Sequence, residues 1–319
     1  MDKPACTIVH ISDLHFGSQF IIDGESRWRK AIARAPFLNH VTGYFPHGYQ
    51  VANALAIAVR RILKDRRDQG VPAVVVHTGD LTASGSRAEF SVGDTFLRHG
   101  HYLENGTLAG LSLETDFRQR TFDIPGNHDL WHRRSPKDHS AFTSHYGGAY
   151  PRTREIQTSS KLVLLYGLDS NRSSLIQHRL ANGEVEASSL ATVCEGLASR
   201  KGPSTVQIVC LHHPLRLRRR TAPRMFGIEV LKLRDRERIC RELFEAGAQM
   251  VLGGHVHRQV HGRSPLTFVA GSGCQISSRP AFWQLDLFAD HADYTYHHLP
   301  RHQLHFDTAV TRSGSAAYS

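Results

Sequence analysis

Thr7-Ile8-Val9-His10-Ile11-Ser12-Asp13-Leu14-His15 is the stretch from which the rest of the chain is read. Thr7–Ile11 is a short β-rich run that reads as a buried strand, and directly after it Asp13 and His15 stand two positions apart. In an extended segment residues i and i+2 point the same way, so both side chains reach one site. The same pairing of strand and polar cluster recurs along the chain. Ala73–His77 leads to Gly79-Asp80, and Thr121–Ile124 to Gly126-Asn127-His128-Asp129. Thr205–Leu211 leads to His212-His213-Pro214, and Gln249–Leu252 to Gly254-His255-Val256-His257.

Helical patterns separate these runs. Val51, Leu55, Val59 and Ile62 recur at helical spacing before Gly70, and Leu190, Val193, Cys194 and Leu197 share another helix face. Ile239, Leu243 and Phe244 end a third helix at Gly247, and Ser86 with Glu89 has capping-box spacing. Further strands are expected at Leu162–Leu168 and over 266–270, 282–288 and 293–299. The alternation predicts an α/β fold. In open α/β sheets ligands bind beyond the carboxyl ends of the strands, so the five polar clusters should converge although they span most of the chain. Glycines beside Asp80, Asn127 and His255 allow tight turns and close backbone approach.

Composition narrows the class. In 319 residues, 21% are charged and 40% apolar, which excludes a disordered chain. Lys and Arg number 39 against 29 Asp and Glu, and the resulting net charge of +10 suits acidic partners without naming one. Five cysteines with no CxxC pair argue against a disulfide framework or zinc knuckle. No apolar run approaches membrane-spanning length and no secretory signal is seen, so a cytoplasmic setting is expected. The side chains in the clusters are carboxylates, an amide and imidazoles, with no thiolate, an inventory that suits Mn, Fe or Zn. Taken singly each cluster has an ordinary reading as a cap, a surface loop or an Asx turn; in this order, each after a strand, they form a specific set.

That ordered set, DLH (13–15), GDL (79–81), GNHD (126–129), HHP (212–214) and GHVH (254–257), resembles the calcineurin-like metallophosphoesterase family. The wording ISDLHFG, HTGDLTASG and IPGNHD is most similar to the bacterial cyclic-nucleotide phosphodiesterase branch. The resemblance implies a four-layer αββα sandwich with two divalent metal ions at the strand ends. By that resemblance one metal takes Asp13, His15 and His257, and the other takes Asn127, His212 and His255, with His213 the alternative to His212. Asp80 bridges both, His128 is the catalytic histidine, and Asp129 holds it in position. By the same resemblance a metal-bridging hydroxide would attack phosphorus in line, and His128 would protonate the leaving alkoxide or steady the transition-state charge. The implied activity is hydrolysis of a small, anionic, nucleotide-type phosphodiester, a cyclic nucleotide first. Nuclease, phospholipid-headgroup esterase and phosphomonoesterase are the alternatives within the enzyme class. A catalytically silent scaffold is the alternative outside it, and the full ligand set argues against that one.

Basic residues flank two of the clusters. Arg133 follows the third and Arg216 and Arg218 follow the fourth, and with Asn171 they are the candidate substrate contacts, against an ordinary reading as solvated loops. Trp131, Phe16, Phe20, Tyr44 and Phe45 either stack on a base or pack the first insertion. A nucleic-acid partner and an oligomer are left open. Residues 1–307 are expected to form one domain with insertions at 16–48 and 99–119, and the small, polar stretch 308–319 a disordered tail.

Overall fold

The computed structural model describes residues 3–17, 20–21, 47–98, 100–103, 106–111, 121–130, 140–148, 150–171, 182–216, 224–225, 228–229, 232–263, 265–275, 280–299 and 310–318. Among the described residues twelve strands form the two main sheets. They are β1 (Cys6–Ile11), β2 (Ala73–His77), β3 (Thr121–Asp123), β4 (Arg152–Gln157), β5 (Leu162–Gly167), β6 (Thr205–Cys210), β7 (Met250–Gly253), β8 (Val260–Arg263), β9 (Leu266–Val269), β10 (Ala281–Leu287), β11 (His291–His298) and β12 (Val310–Ala317). Among the described residues five helices accompany them: α1 (Tyr49–Asp68), α2 (Arg87–Arg98), α3 (Ser140–Tyr146), α4 (Ala187–Ser199) and α5 (Arg236–Ala246).

The first sheet runs β12-β11-β10-β1-β2-β3 and the second β8-β9-β7-β6-β5-β4. Strands β1, β2 and β3 are mutually parallel, as are β5, β6, β7 and β9, while the outer strands pair antiparallel. Parallel strands are covered on both faces and therefore read as continuous apolar runs. In β1, Ile8 faces the other sheet with Val76, Ile208 and Met250, while Val9 and Ile11 face α1 through Leu55 and Val59. On the far side, Leu190, Val193 and Leu197 of α4 and Ile239 and Leu243 of α5 cover β5, β6 and β7. The layers are thus helices, sheet, sheet, helices, the expected αββα order. The buried Trp283 of β10 donates its indole N–H to the carbonyl of Val269 at 2.9 Å, joining the two sheets directly.

Most helices and strands lie where the hydrophobic spacing puts them, and the capping pair is formed: Ser86 Oγ accepts the Glu89 N–H at 3.3 Å and Glu89 Oε2 accepts the Ser86 N–H at 3.2 Å. Three features differ from expectation. The expected disordered tail instead contributes β12, paired along its whole length with β11. Its ladder is a backbone interaction that small, polar residues do not announce, and Ala316 and Tyr318 add packing against the core between the sheets. Strands β4 and β8 have no counterpart in the sequence reading, because as edge strands (RTREIQ and VHGR) they carry charge in place of an apolar run. Part of the 99–119 connection is a hairpin of Gly100–Leu103 with Gly106–Ala109. Most of the 16–48 insertion, with Tyr44 and Phe45, lies outside the described residues, as does Trp131; Phe20–Ile21 pairs with His47–Gly48 at its base. Among the described residues no helix is long and apolar enough to cross a membrane.

His297 of β11 makes stability sensitive to acid. Its ring stacks on Phe282 at 4.7 Å, and burial pushes its pKa down to about 4 despite nearby Asp286. An unfolded histidine titrates near 6.5, so the unfolded chain takes up a proton first and stability falls as pH drops from about 7 towards 4. The variant His297→Phe should show a shallower acid branch in urea midpoint against pH; coincident branches for the two proteins would contradict this.

Candidate metal centre

Among the described residues the seven parallel strands (β1–β3, β5–β7 and β9) end on one side of the molecule, and the loops beyond them build the site. The loops after β1 and β2 run on as a pair: Asp13 donates its N–H to Gly79 O at 3.0 Å, His15 to Asp80 O at 2.9 Å and Phe16 to Leu81 O at 2.8 Å. In the second sheet the loops after β6 and β7 are joined likewise, Gly254 donating to His212 O at 2.9 Å. Asp13, His15, Asp80, His255 and His257 all have left-handed backbone, with φ of 55°, 49°, 56°, 73° and 50°. Among the described residues Asp235 is the only other non-glycine with positive φ. This conformation costs about 1–3 kcal/mol per residue and persists where the surroundings impose it. It also corrects the reading of Asp13/His15 and His255/His257 as extended pairs: the side chains do reach one place, but through left-handed turns. Two glycines make room. A Cβ on Gly126 would run into the carboxylate and amide of Asp80, and one on Gly254 into Ser12 Oγ.

The loops bring together two groups of donors that share Asp80. Asp13, His15, Asp80 and His257 form the first, and Asp80, His212 and His255 the second, each with donor atoms within 4.8 Å of one another. Asp80 Oδ2 stands 3.5 Å from His15 Nε2 and 3.3 Å from His212 Nε2. His257 Nε2 is 3.2 Å from Asp13 Oδ1 and 3.1 Å from His15 Nε2. His212 Nε2 is 3.1 Å from both Asn127 Oδ1 and His255 Nδ1, which adds Asn127 to the second group. His213 turns away from this meeting point, its Nδ1 2.9 Å from Ser170 Oγ and its ring against that of His255 at 4.3 Å.

The electrostatics favour ionised carboxylates. Burial would raise the pKa of Asp13, but His257, His15 and His212 hold it well below the usual carboxylate range. Burial of Asp80 is overcome in the same way by His212, His128 and His15. Burial likewise opposes the charged form of His212, yet Asp80 and Asp13 push its pKa up to about 9. The cations acting most strongly on these two carboxylates are therefore imidazoles, which also ligate metals when neutral. Asp13 Oδ1 is buried, with the His257 imidazole nitrogen beside it at 3.2 Å. Two ionised carboxylates, an amide oxygen and four imidazoles around shared space fit divalent metal of the Mn, Fe or Zn type.

Around this centre, His128 begins a short 3-10 turn; its N–H donates to Asp80 Oδ1 at 2.8 Å and its Nδ1 lies 2.8 Å from Ala83 O. The expected role of Asp129 as the holder of the His128 ring is replaced by another. Its carboxylate accepts the N–H of Gly126 at 2.9 Å and of Thr82 at 2.9 Å, and the hydroxyls of Thr82 and Tyr146, each at 2.8 Å. Asp129 thus ties the loops after β2 and β3 together, and a backbone carbonyl orients the ring. Asn171 is buried, its amide donating to Pro125 O at 2.8 Å and Asp169 Oδ1 at 2.7 Å, so it braces loops. Arg216 is exposed and interacts with the Cys240 thiol of α5. Arg133 and Arg218 lie outside the described residues. The sequence reading missed Gln275, whose Oε1 is 2.7 Å from His257 Nδ1, because a lone glutamine in a Gly-Ser-Gly-Cys turn has no motif.

A family model described as "Calcineurin-like phosphoesterase" matches residues 6–259. No curated protein matches the chain significantly. Among solved structures, similarity extends to the sulfate thiohydrolase SoxB from Thermus thermophilus, with 12% identity, TM-score 0.49, and 99% of this chain and 57% of that chain covered. It extends to a 5'-nucleotidase from Candida albicans, with 11% identity, TM-score 0.43 and coverage of 100% and 53%. It extends also to the phosphopantetheinyl hydrolase PptH from Mycobacterium tuberculosis, with 13% identity, TM-score 0.43 and coverage of 85% and 91%. This chain spans little more than half the length of the first two.

Gly126→Ala is expected to displace Asp80 while leaving every candidate donor chemically intact. Elemental analysis after metal loading should show a loss of both ions in that variant, with far-ultraviolet circular dichroism unchanged; full loading would show that Asp80 tolerates the shift.

Proposed function

The chain belongs to the calcineurin-like phosphoesterase family, and on that premise we propose that it is a metal-dependent phosphodiesterase using a dinuclear centre. One observation carries the reading: the Asp80 carboxylate is common to both donor groups, as a bridging ligand must be. Asp13, His15 and His257 would hold one ion, Asn127, His212 and His255 the other, and Asp80 both. Bound divalent ions supply Lewis-acid stabilisation of a phosphoryl ester and lower the pKa of bound water to about 7.

The protein's own residues account for the rest. The N–H of His128 on Asp80 keeps the imidazole beside the centre, and the Ala83 carbonyl engages Nδ1. A carbonyl oxygen only accepts, so Nδ1 carries the proton and Nε2 is the nitrogen that exchanges a proton with a substrate oxygen. Asp129 fixes the two loops that position Asp80 and His128 relative to each other. The leading substrate class is a small nucleotide-type phosphodiester, with a cyclic nucleotide first.

The test compares bis(p-nitrophenyl) phosphate with p-nitrophenyl phosphate, with Mn²⁺ and then with chelator. Metal-dependent preference for the diester is expected. His128→Ala should keep its metal and lose about 10²–10⁴-fold in kcat, whereas Asp80→Asn should lose metal and turnover together. Preference for the monoester would replace the reading with a phosphatase, and two bound ions without turnover of either would replace it with a binding scaffold.

A further inference from the structure

The turn after β9, Gly271-Ser272-Gly273-Cys274-Gln275, is tied to the Asp13 loop at several points. Ser272 donates its hydroxyl to Asp13 O at 2.7 Å, and Gly273 donates its N–H to Ser12 O at 3.0 Å. Ser272 Oγ in turn accepts the N–H of Gln275 at 3.2 Å. These bonds deliver the buried Gln275 amide to His257, with Oε1 2.7 Å from Nδ1. An amide oxygen only accepts, so His257 carries its proton on Nδ1 and turns the Nε2 lone pair towards Asp13 and His15. His212 meets the same requirement differently, with Nδ1 2.7 Å from the backbone carbonyl of Thr78. One half of the centre is therefore supported by a side chain and the other by backbone.

We propose that Gln275 is a positioning residue that sets the tautomer and ring orientation of His257, and that it governs metal affinity on the Asp13–His15–His257 side separately from the His212–His255 side. The proposal rests on the reading of the two donor groups as a metal centre. Removing a partner of this kind from a ligand histidine costs about 10–100-fold in metal affinity.

The experiment is calorimetric titration of metal-stripped, full-length protein with Mn²⁺ or Zn²⁺, alongside ¹⁵N imidazole spectra that report the His257 tautomer. Wild-type protein should bind in two steps. Gln275→Leu should weaken one step about 10–100-fold, leave the other, and mix the His257 tautomers. Gln275→Glu, which keeps an acceptor, should restore both the step and the single tautomer. Two unchanged steps in Gln275→Leu, or equal weakening of both, would overturn the assignment while leaving the metal centre standing. Equal weakening in Gln275→Glu as well would mark Gln275 as structural only. A wild-type protein that binds no metal would overturn the centre itself and this inference with it.

Discussion

The carboxylate of Asp80 is the contact on which the site depends. One oxygen accepts the N–H of His128 and the other faces His15 and His212, so a single side chain joins the loops after β1, β2, β3 and β6. It sits at this crossing because its own backbone is left-handed and because Gly126 has no side chain to exclude it. A buried carboxylate with no partner is expensive. Here the surrounding imidazoles offset that cost, and the same imidazoles make the place attractive to a divalent ion.

The scaffold explains how so much local strain is kept. Left-handed backbone at Asp13, His15, Asp80, His255 and His257 would relax in an isolated loop. These loops are not isolated. They continue the hydrogen-bonding of the parallel strands past the sheet ends, and Asp129 clamps two of them with its carboxylate. Apolar packing between the sheets and under the helices holds the strand ends in register. The cost of the turns is thereby spread over the whole fold. Support reaches the imidazoles of the site from behind as well: the Thr78 carbonyl and the Gln275 amide oxygen engage candidate ligands His212 and His257, and the Ala83 carbonyl engages His128.

Much of this could be read without coordinates. Strand-then-cluster order anticipated that the clusters gather beyond the carboxyl ends of parallel strands, and the packing of the two sheets brings both sets of strand ends together. The buried strands and amphipathic helices were legible from their apolar spacing. Edge strands β4, β8 and β12 were not, since an edge strand needs no apolar face and its ladder is made of backbone. The role of Asp129 was misread for a related reason: adjacency to His128 in sequence suggested contact, whereas the 3-10 turn sends the two side chains to different partners.

The amino-acid sequence by itself determined the chemistry of the centre and the family to which the chain belongs. Ligand types are covalent properties of residues, and their order after strands is a one-dimensional fact. Tertiary structure alone decided which oxygen or nitrogen of each side chain faces the shared space, and that Gln275 stands behind His257. Those are outcomes of backbone dihedrals and of contacts between residues far apart in the chain, such as His15 and His257, 242 positions from each other, which no local pattern encodes.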